Sequence, residues 1–212
     1  MKYVTVLLND LIYKFRLSED EIDSRLAEFS CPLNKDVEYF VKHKAVQFEK
    51  VDLARTYLIY AIDNNEPKLC GMYALATGHL ELDSKLTRKQ KKSFFGTTYA
   101  FGKTINTHLI GQLSKNYTNG NDKLISEDLL IELAFERIKE KNMLSPSPVI
   151  HIDCKDEPKL KQFYQKIGFV YFKKNEDKDL LMYLMPMKKV KDADFTNERW
   201  CIEYNLFSYI AT

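Results

Sequence analysis

The sequence predicts an α/β fold with a mixed sheet, in which some strands are parallel and others antiparallel. Two helices are predicted first, followed by a β-hairpin, a strand–helix–strand–helix series and a second hairpin. Strands joined by a short turn pair in antiparallel fashion, whereas a strand, a crossover helix and a strand form parallel neighbours with a right-handed connection. Because the crossover is predicted over residues 105–153, one parallel pair should lie beside the hairpins.

The N-terminal quarter is predicted to form short strands and then two helices. MKYVTVLL and LIYKFRL have the composition of short strands or a strand entry. Ser18 is a suitable N-cap for the helix SEDEIDSRLAEF, because its hydroxyl can accept a bond from the first turn and acidic residues follow it. After SCPLN, a second helix carries its apolar residues on one face: Val37, Phe40, Val41, Ala45 and Phe48.

The first hairpin follows at residues 55–82. RTYLIYAI is rich in aromatic and β-branched residues, and the turn signal DNNEPK separates it from the strand LCGMYALATGHLEL. Residues 83–103 are charged and then rich in Gly, Phe and Thr. We interpret them as an insertion whose first half is helical.

The second half of the chain alternates strands and helices. INTHLIGQLSKNY is a strong strand, and Ser126 should cap the helix that follows. SPSPVIHIDCK leads into the next strand, and FVYFKK and LLMYLMPM form the last hairpin. The apolar residues of the crossover helix should face inward: Leu130, Leu133, Ala134 and Ile138.

The helix predicted between the strand of SPSPVIHIDCK and the strand FVYFKK ends in a pattern typical of a helix C-terminus. In LKQFYQKIGF the apolar residues recur at helical spacing and form one face: Leu160, Phe163, Tyr164 and Ile167. Pro158 lies in the first turn, Gly168 should adopt the left-handed conformation that ends the helix, and Phe169 should fold back over the last turn.

Composition excludes several classes of protein. The 212 residues are 45% hydrophobic, so a sizeable core is expected and disorder is not. The 32 basic and 30 acidic residues nearly cancel, which argues against duplex DNA as a partner. The basic run TRKQKK at residues 87–92 is expected to be a solvated helix face.

No metal site, disulfide framework or membrane span is predicted. The four cysteines show no CxxC pair, the four histidines show no i, i+4 pair, and the apolar runs are too short for a membrane. Asn9 and Asp10 interrupt the N-terminal apolar stretch, which also lacks the basic start of a signal peptide. A reduced, cytoplasmic protein is therefore expected.

The chain is expected to be a single domain over residues 1–212, because it contains no low-complexity linker and no internal repeat. The insertion lies at about 83–103, and an extra C-terminal tail covers 189–212. The tail is aromatic, which predicts packing on the domain, on a second subunit in a homodimer, or along the acceptor cleft: Trp200, Tyr204, Phe207 and Tyr209.

Four segments together resemble the GNAT superfamily of acetyl-CoA-dependent N-acetyltransferases. FYQKIGF fits the FYxxxGF pattern of that superfamily, LIGQLSKN is similar to the strand that lies along pantetheine, and NDKLISEDLL occupies the place of the pyrophosphate loop. FSCPLN before a long helix resembles a subgroup with bacterial toxin-like and phage-borne acetyltransferases. The resemblance covers roughly residues 10–187 and implies a centrally splayed sheet with helices on both faces.

The resemblance implies acetyl-CoA as co-substrate, no metal, and a set of site residues. Tyr164 corresponds to the family's general acid, which protonates the leaving thiolate. The residues that would bind the cofactor lie in the strand and the loop after it: Leu113, Ser114, Lys115, Asn121, Lys123, Leu124, Ile125 and Ser126. The glycines of the family loop are absent at the aligned positions, and Glu127 and Asp128 would repel a pyrophosphate unless Lys115 and Lys123 offset them.

The sequence does not decide which residue is the general base or which amine is the acceptor. His79 and Glu81 are spaced by two in a predicted strand and so share one side of it, and His108 is another candidate base. An α-amino acceptor, with a reference pKa near ~8, needs no strong base. The acceptor amine could belong to a small molecule, a protein or an aminoacyl-tRNA. The alternative function is a catalytically inactive GNAT-fold binding or regulatory module.

Overall fold

The structure is a computed structural model that describes residues 1–82, 87–96, 103–175 and 178–192. The α-helices of the described residues are, in chain order, α1 (Glu19–Ala27), α2 (Lys35–His43), α3 (Ala45–Lys50), α4 (Arg88–Phe95), α5 (Glu127–Leu144), α6 (Pro158–Ile167) and α7 (Met187–Lys191). The strands are β1 (Lys2–Leu7), β2 (Arg55–Asp63), β3 (Glu66–Glu81), β4 (Thr104–Lys115), β5 (Val149–Cys154), β6 (Val170–Asn175) and β7 (Leu180–Pro186).

The strands form one mixed sheet, as predicted. Their order is β1-β2-β3-β4-β5-β7-β6. The pairs β1–β2, β2–β3, β5–β7 and β6–β7 are antiparallel, and β4–β5 is parallel. The sequence did not predict that β7 lies between β5 and β6, because hairpin signals identify which strands pair and not which of them joins the sheet.

The parallel pairing of β4 with β5 is short. Its register joins residues 108–110 to residues 150–152, and Ile110 opposite Ile152 is the last pair. Strand β4 then continues through Gly111 to Lys115. The end of β4 therefore extends five residues past its pairing with β5.

Two local predictions near the N terminus were wrong. LIYKFRL is not a strand: residues Asp10–Lys14 form a π-helical turn that buries Leu11 in the core. The second predicted helix is broken at Lys44 (φ −123°), which separates α2 from α3. Its apolar face is correct nevertheless, since most of the predicted residues are buried: Val37, Phe40, Val41 and Ala45.

Other local predictions are confirmed by their hydrogen bonds. The Ser18 hydroxyl accepts from the Glu21 N–H, and the Glu21 carboxylate accepts from the Ser18 N–H, which completes a capping box at α1. Gly168 ends α6 with φ +108°, and the Phe169 N–H donates to Tyr164 O (3.0 Å). Asn64 and Asn65 both have positive φ, the backbone that a two-residue turn between β2 and β3 requires.

Residue contacts group the chain into two compact units, and the single-domain organisation stays a prediction. Unit 1 contains residues 1–75 and 112–134 of the described chain. Met72 belongs to the buried cluster formed with α1 and α2, whereas its neighbour Gly71 faces the other way, and a Cβ there would lie 3.3 Å from Leu130 of α5. Helices therefore cover both faces of the sheet in this unit.

Unit 2 contains residues 76–111 and 135–192 of the described chain. Its sheet carries an apolar cluster: Leu80, Leu82, Phe95, Ile105, Val149, Met182 and Leu184. Helix α4 lies in the predicted insertion, and its Phe94 and Phe95 contact Phe172 edge-on. Arg88, Lys89 and Lys92 of α4 are exposed, so this part of the basic run is a solvated face.

Some expectations fall on parts of the chain that the structure does not describe. The aromatic residues of the tail lie outside the described residues, as do residues 83–86 and 97–102 of the insertion. Within the described residues, no helix combines the length and the apolar character needed to cross a bilayer.

Gly78 is required by a close approach inside unit 2. A Cβ added at Gly78 would clash with Thr107 Oγ1 and lie 2.8 Å from His151 Nδ1, both of which are buried. We expect Gly78→Ala to lower the free energy of unfolding by about 1–3 kcal/mol, measured by urea denaturation.

Thr107→Ala provides the control for this prediction, because it removes the hydroxyl that the new methyl group meets. In a double-mutant cycle, Gly78→Ala should cost less in the Thr107→Ala background. Equal costs in the two backgrounds would contradict the steric explanation.

Candidate functional site

The predicted cofactor strand is the C-terminal end of β4, in unit 1. Leu113, Ser114 and Lys115 are all half-buried there, beyond the last residue that pairs with β5. Backbone N–H and C=O groups in a sheet need hydrogen-bond partners, so a strand end that has left its neighbour can offer those groups to a ligand.

The loop after β4 has a glycine-like backbone, although the glycines of the family loop are absent. Residues Thr118–Leu124 form a kinked 3₁₀ segment in which Asn119 (φ +53°) and Gly120 (φ +76°) adopt left-handed conformations. Turns with left-handed residues can form a concavity of backbone N–H groups that binds an anion. The two left-handed residues come just before Asn121, Leu124 and Ser126, the positions aligned with the family loop.

The predicted loop residues have different roles in the structure. Asn121 Nδ2 donates to Leu69 O (3.1 Å), and Leu124 O accepts from the Tyr3 hydroxyl (2.7 Å). Ser126 Oγ accepts from the Leu129 N–H (3.1 Å), which caps α5 as predicted. Of the other two predicted loop residues, Ile125 is buried and Lys123 is exposed.

The charges at the start of α5 are partly balanced. Lys115 Nζ lies 2.8 Å from Glu127 Oε1, and the Lys115 side chain is only 14% exposed. The ion pair places a cation beside the acidic first turn, where the helix dipole favours an anion. Lys115 thus lies next to one of the two acidic residues at the start of α5, and its role toward a pyrophosphate stays a prediction.

Tyr164 lies in unit 2, in the last turns of α6. It is buried (7% exposed) among aromatic rings, with ring centroids 5.2 Å from Phe163, 5.8 Å from Phe169 and 6.3 Å from Tyr183. Burial raises the pKa of the Tyr164 phenol above its ordinary value. The hydroxyl therefore keeps its proton at neutral pH, as a general acid must before it acts.

The predicted bases His79 and Glu81 are both exposed on β3. His79 Nδ1 lies 3.1 Å from Asn106 Oδ1 of β4, and Asn106 precedes Leu113 by seven residues. A strand advances about 3.3 Å per residue, so these side chains lie near the start of β4 and roughly 20 Å along it from the predicted cofactor residues.

His108, the other candidate base, is held in the interior of unit 2. It is 3% exposed, and its Nε2 lies 3.0 Å from Asn142 Oδ1, which also accepts from the Ser147 N–H (2.8 Å). Burial lowers the pKa of His108 below its ordinary value. These contacts give His108 a structural role.

Besides His108 and Asn142, unit 2 contains a second cluster of buried polar side chains, which was not predicted from the sequence. Thr107 Oγ1 lies 2.8 Å from His151 Nδ1, and His151 Nε2 lies 3.7 Å from Asp153 Oδ1, a buried atom with no hydrogen-bond partner in the described chain. His151 and Asp153 are two residues apart in β5, at the end of its pairing with β4. The sequence feature that could have indicated this cluster is a histidine and an aspartate, two residues apart, in an otherwise apolar strand.

Among the described residues, no three His, Cys, Asp or Glu side chains are grouped to hold a metal ion. No protein-family model matches the sequence, and no curated protein sequence is similar to it.

Solved structures do resemble this chain. A bacterial toxin matches with a TM-score of 0.65 and 15% identity, over 92% of this chain and 98% of the toxin. AtaTR bound with acetyl-CoA matches with a TM-score of 0.62 and 16% identity, over 90% of this chain and 96% of its own. AtaT complexed with acetyl-methionyl-tRNAfMet matches with a TM-score of 0.61 and 18% identity, over 90% of this chain and 98% of AtaT.

The chain has the GNAT fold. The fold that the resemblance implied and the mixed α/β architecture are thereby confirmed. The GNAT fold also accounts for the short β4–β5 pairing, because two central strands that separate along their length are its expected feature.

Within this GNAT fold, the buried His108 should make stability depend on pH. Below about pH 6.5 the unfolded state takes up a proton at this histidine, and the folded state does so only at lower pH. Stability is therefore lost as pH falls through this range, by at most about 1.4 kcal/mol per pH unit from this group. We expect His108→Gln to lose less stability than wild type between pH 7.5 and pH 5.5 in urea denaturation.

Identical pH dependence in His108→Gln and wild type would rule out the assigned role of His108.

Proposed function

We propose that this protein is an N-acetyltransferase that moves an acetyl group from acetyl-CoA to a primary amine. The observation that carries the proposal is the end of β4, which continues past its pairing with β5 into a left-handed loop and a helix N-terminus. In this GNAT fold, that arrangement fits an acyl-CoA. Acetyl-CoA supplies the acetyl group as a thioester.

The residues of unit 1 would hold the co-substrate. The stretch Leu113–Lys115, beyond the pairing with β5, would bind pantetheine by backbone hydrogen bonds, and one N–H would polarise the thioester carbonyl and stabilise the oxyanion that develops there. The loop Thr118–Ser126 would bind the pyrophosphate. It contains the left-handed residues Asn119 and Gly120 and the predicted residues from Asn121 to Ser126. Lys115 and Lys123 would supply positive charge at the loop.

Tyr164 would act as the general acid. The acceptor nitrogen attacks the carbonyl carbon, the carbon–sulfur bond breaks, and the thiolate of coenzyme A takes the phenolic proton of Tyr164. The attacking amine must be neutral and loses one proton as the amide forms. His79 and Glu81 lie near the start of β4, too far from Leu113–Lys115 at its end to take that proton directly, so in this proposal water takes it and returns a proton to Tyr164.

The acceptor is proposed to be an α-amino group, with aminoacyl-tRNA as the favoured class. An α-amino group has a reference pKa near ~8, so roughly a tenth of it is neutral at pH 7 without a base, far more than of a lysine-like amine with a pKa near ~10.4. Support for the class comes from the fold likeness to AtaT complexed with acetyl-methionyl-tRNAfMet. The exposed basic residues of α4 offer a surface for phosphates. Small molecules and protein amines are the other acceptor classes.

An inactive GNAT-fold binding module is the second candidate. Glu127 and Asp128 at the start of α5 favour it, because carboxylates in the first helical turn repel a pyrophosphate. The Lys115–Glu127 pair weakens that objection, since it partly neutralises the first turn.

The first test of function is titration calorimetry with acetyl-CoA on wild type and Tyr164→Phe. Both should bind with similar affinity, because the hydroxyl acts on the leaving thiolate and not on the ground state. With an accepted amine, Tyr164→Phe should release coenzyme A with a kcat about 10²–10⁴-fold lower.

Aminoacyl-tRNA and a panel of small primary amines serve as acceptors in this assay. No binding of acetyl-CoA by wild type would overturn the enzyme proposal in favour of the binding module. Equal kcat values for the two proteins would remove Tyr164 from the mechanism and leave the enzyme proposal in place.

Substitutions of the Lys115–Glu127 pair should change acetyl-CoA affinity in opposite directions. Lys115→Met removes a cation beside the pyrophosphate loop and should weaken binding roughly three- to tenfold. Glu127→Gln frees Lys115 and removes a repelling charge, so it should tighten binding by a similar factor. Calorimetry at low and high salt is the measurement, and both effects should shrink at high salt.

Glu140→Gln is a matched control, because the exposed Glu140 pairs with the half-buried Arg137 on α5, as Glu127 does with Lys115. Its affinity for acetyl-CoA should equal that of wild type. Changes of the same sign at Lys115 and Glu127 would contradict the placement of the pyrophosphate.

A further inference from the structure

Asn116, the residue after β4, is fully buried and joins three parts of unit 1. Its Oδ1 accepts from the Ser30 N–H (2.8 Å) and from the Thr118 N–H (3.1 Å). Its Nδ2 donates to Leu69 O (2.9 Å) and Glu28 O (3.3 Å). One side chain thus connects the end of α1, strand β3 and the first residue of the loop.

These contacts use the full capacity of an amide. A primary amide has two N–H donors and an oxygen that accepts two bonds, and all four are engaged here. Aspartate would replace the donors with an acceptor and face the carbonyls of Glu28 and Leu69. The site is therefore specific for asparagine in chemistry as well as in shape.

Backbone and side-chain bonds nearby reinforce the connection. The Tyr117 N–H donates to Ser30 O (2.8 Å), and the Thr118 hydroxyl donates to Glu28 O. Asn121 Nδ2 donates to Leu69 O, the carbonyl that Asn116 also uses. The turn that contains the left-handed residues Asn119 and Gly120 is fixed on both sides by these bonds.

The segment Glu28–Cys31, which leads from α1 toward α2, is also tied to β4 and α2. Ser114 Oγ donates to Cys31 Sγ (3.2 Å), and Glu38 Oε2 accepts from the Cys31 N–H (2.8 Å). This N–H, together with Lys35 and Lys42, lowers the pKa of Glu38 to about 2, so its carboxylate stays ionised at neutral pH. The segment is thereby anchored at both ends.

We propose that Asn116 is a positioning residue that makes the loop Thr118–Ser126 and the segment Glu28–Cys31 one mechanical element. The inference rests on the proposed function, because the loop is where the pyrophosphate of acetyl-CoA would bind. Binding at the loop then orders the segment between the two N-terminal helices, and the segment in turn holds the loop in its binding conformation.

Hydrogen exchange of the free full-length chain tests the connection without any ligand. In Asn116→Asp, exchange at residues 28–31 and at residues 117–126 should both rise at least tenfold. Asn142→Asp is the matched control, because Asn142 is a buried amide with two comparable bonds to Ser147 and His108. Its effect should be confined to unit 2. Asn116→Ser replaces the aspartate variant if that variant does not fold.

Acetyl-CoA binding then tests the consequence for the site. Wild type should gain protection in both segments when acetyl-CoA is added. Asn116→Asp should bind at least tenfold more weakly and lose the protection of residues 28–31, whereas Asn142→Asp should bind within twofold of wild type. A general loss of stability would affect both variants alike, so this contrast separates positioning from folding.

The outcomes are distinct. Increased exchange in only one segment, or unchanged acetyl-CoA affinity in Asn116→Asp, would overturn the inference. Failure of wild type to bind acetyl-CoA would overturn the proposed function instead. In that case joint exchange of the two segments still supports the connection, and independent exchange overturns it.

Discussion

The central constraint in this structure is the hydrogen bonding of β4. Along residues 108–110 the strand is paired with β5, and beyond Ile110 that register stops while β4 continues to Lys115. Backbone polar groups in a protein interior must find partners, so a central strand that leaves its neighbour creates a place for a polar, extended ligand. The loop, the start of α5 and the residues that fix both are arranged around that strand end.

Electrostatics at the loop result from opposing contributions. The N-terminus of α5 favours an anion, and the carboxylates of Glu127 and Asp128 occupy that favourable region. Lys115 returns a positive charge to it through its contact with Glu127. The even overall balance of acidic and basic residues says little about this site, because interactions over a few ångströms decide it.

Buried polar side chains position the elements that the apolar clusters hold together. Asn116 in unit 1 and the pairs His108–Asn142 and Thr107–His151 in unit 2 all join residues distant in sequence. A buried amide or imidazole without partners is costly, so each pair accepts only one arrangement of the surrounding backbone. Apolar packing tolerates small shifts of the backbone more readily than these buried hydrogen bonds do.

The sequence by itself determined the elements whose causes are local. The capping box at Ser18, the left-handed Gly168 after α6, the asparagine turn between β2 and β3 and the N-cap at Ser126 each depend on residues within a few positions. The strand–helix–strand crossover and the FYxxxGF segment also indicated the GNAT fold, and the resemblance made Tyr164 the candidate general acid.

Only the tertiary structure decided the position of β7 between β5 and β6, the π-helical turn at Asp10–Lys14 and the left-handed backbone at Asn119. It also revealed that Asn116 bonds to residues 86 and 47 positions away. Periodicity and turn chemistry record only neighbours along the chain, whereas these features depend on which distant backbone groups need a partner once the chain has folded.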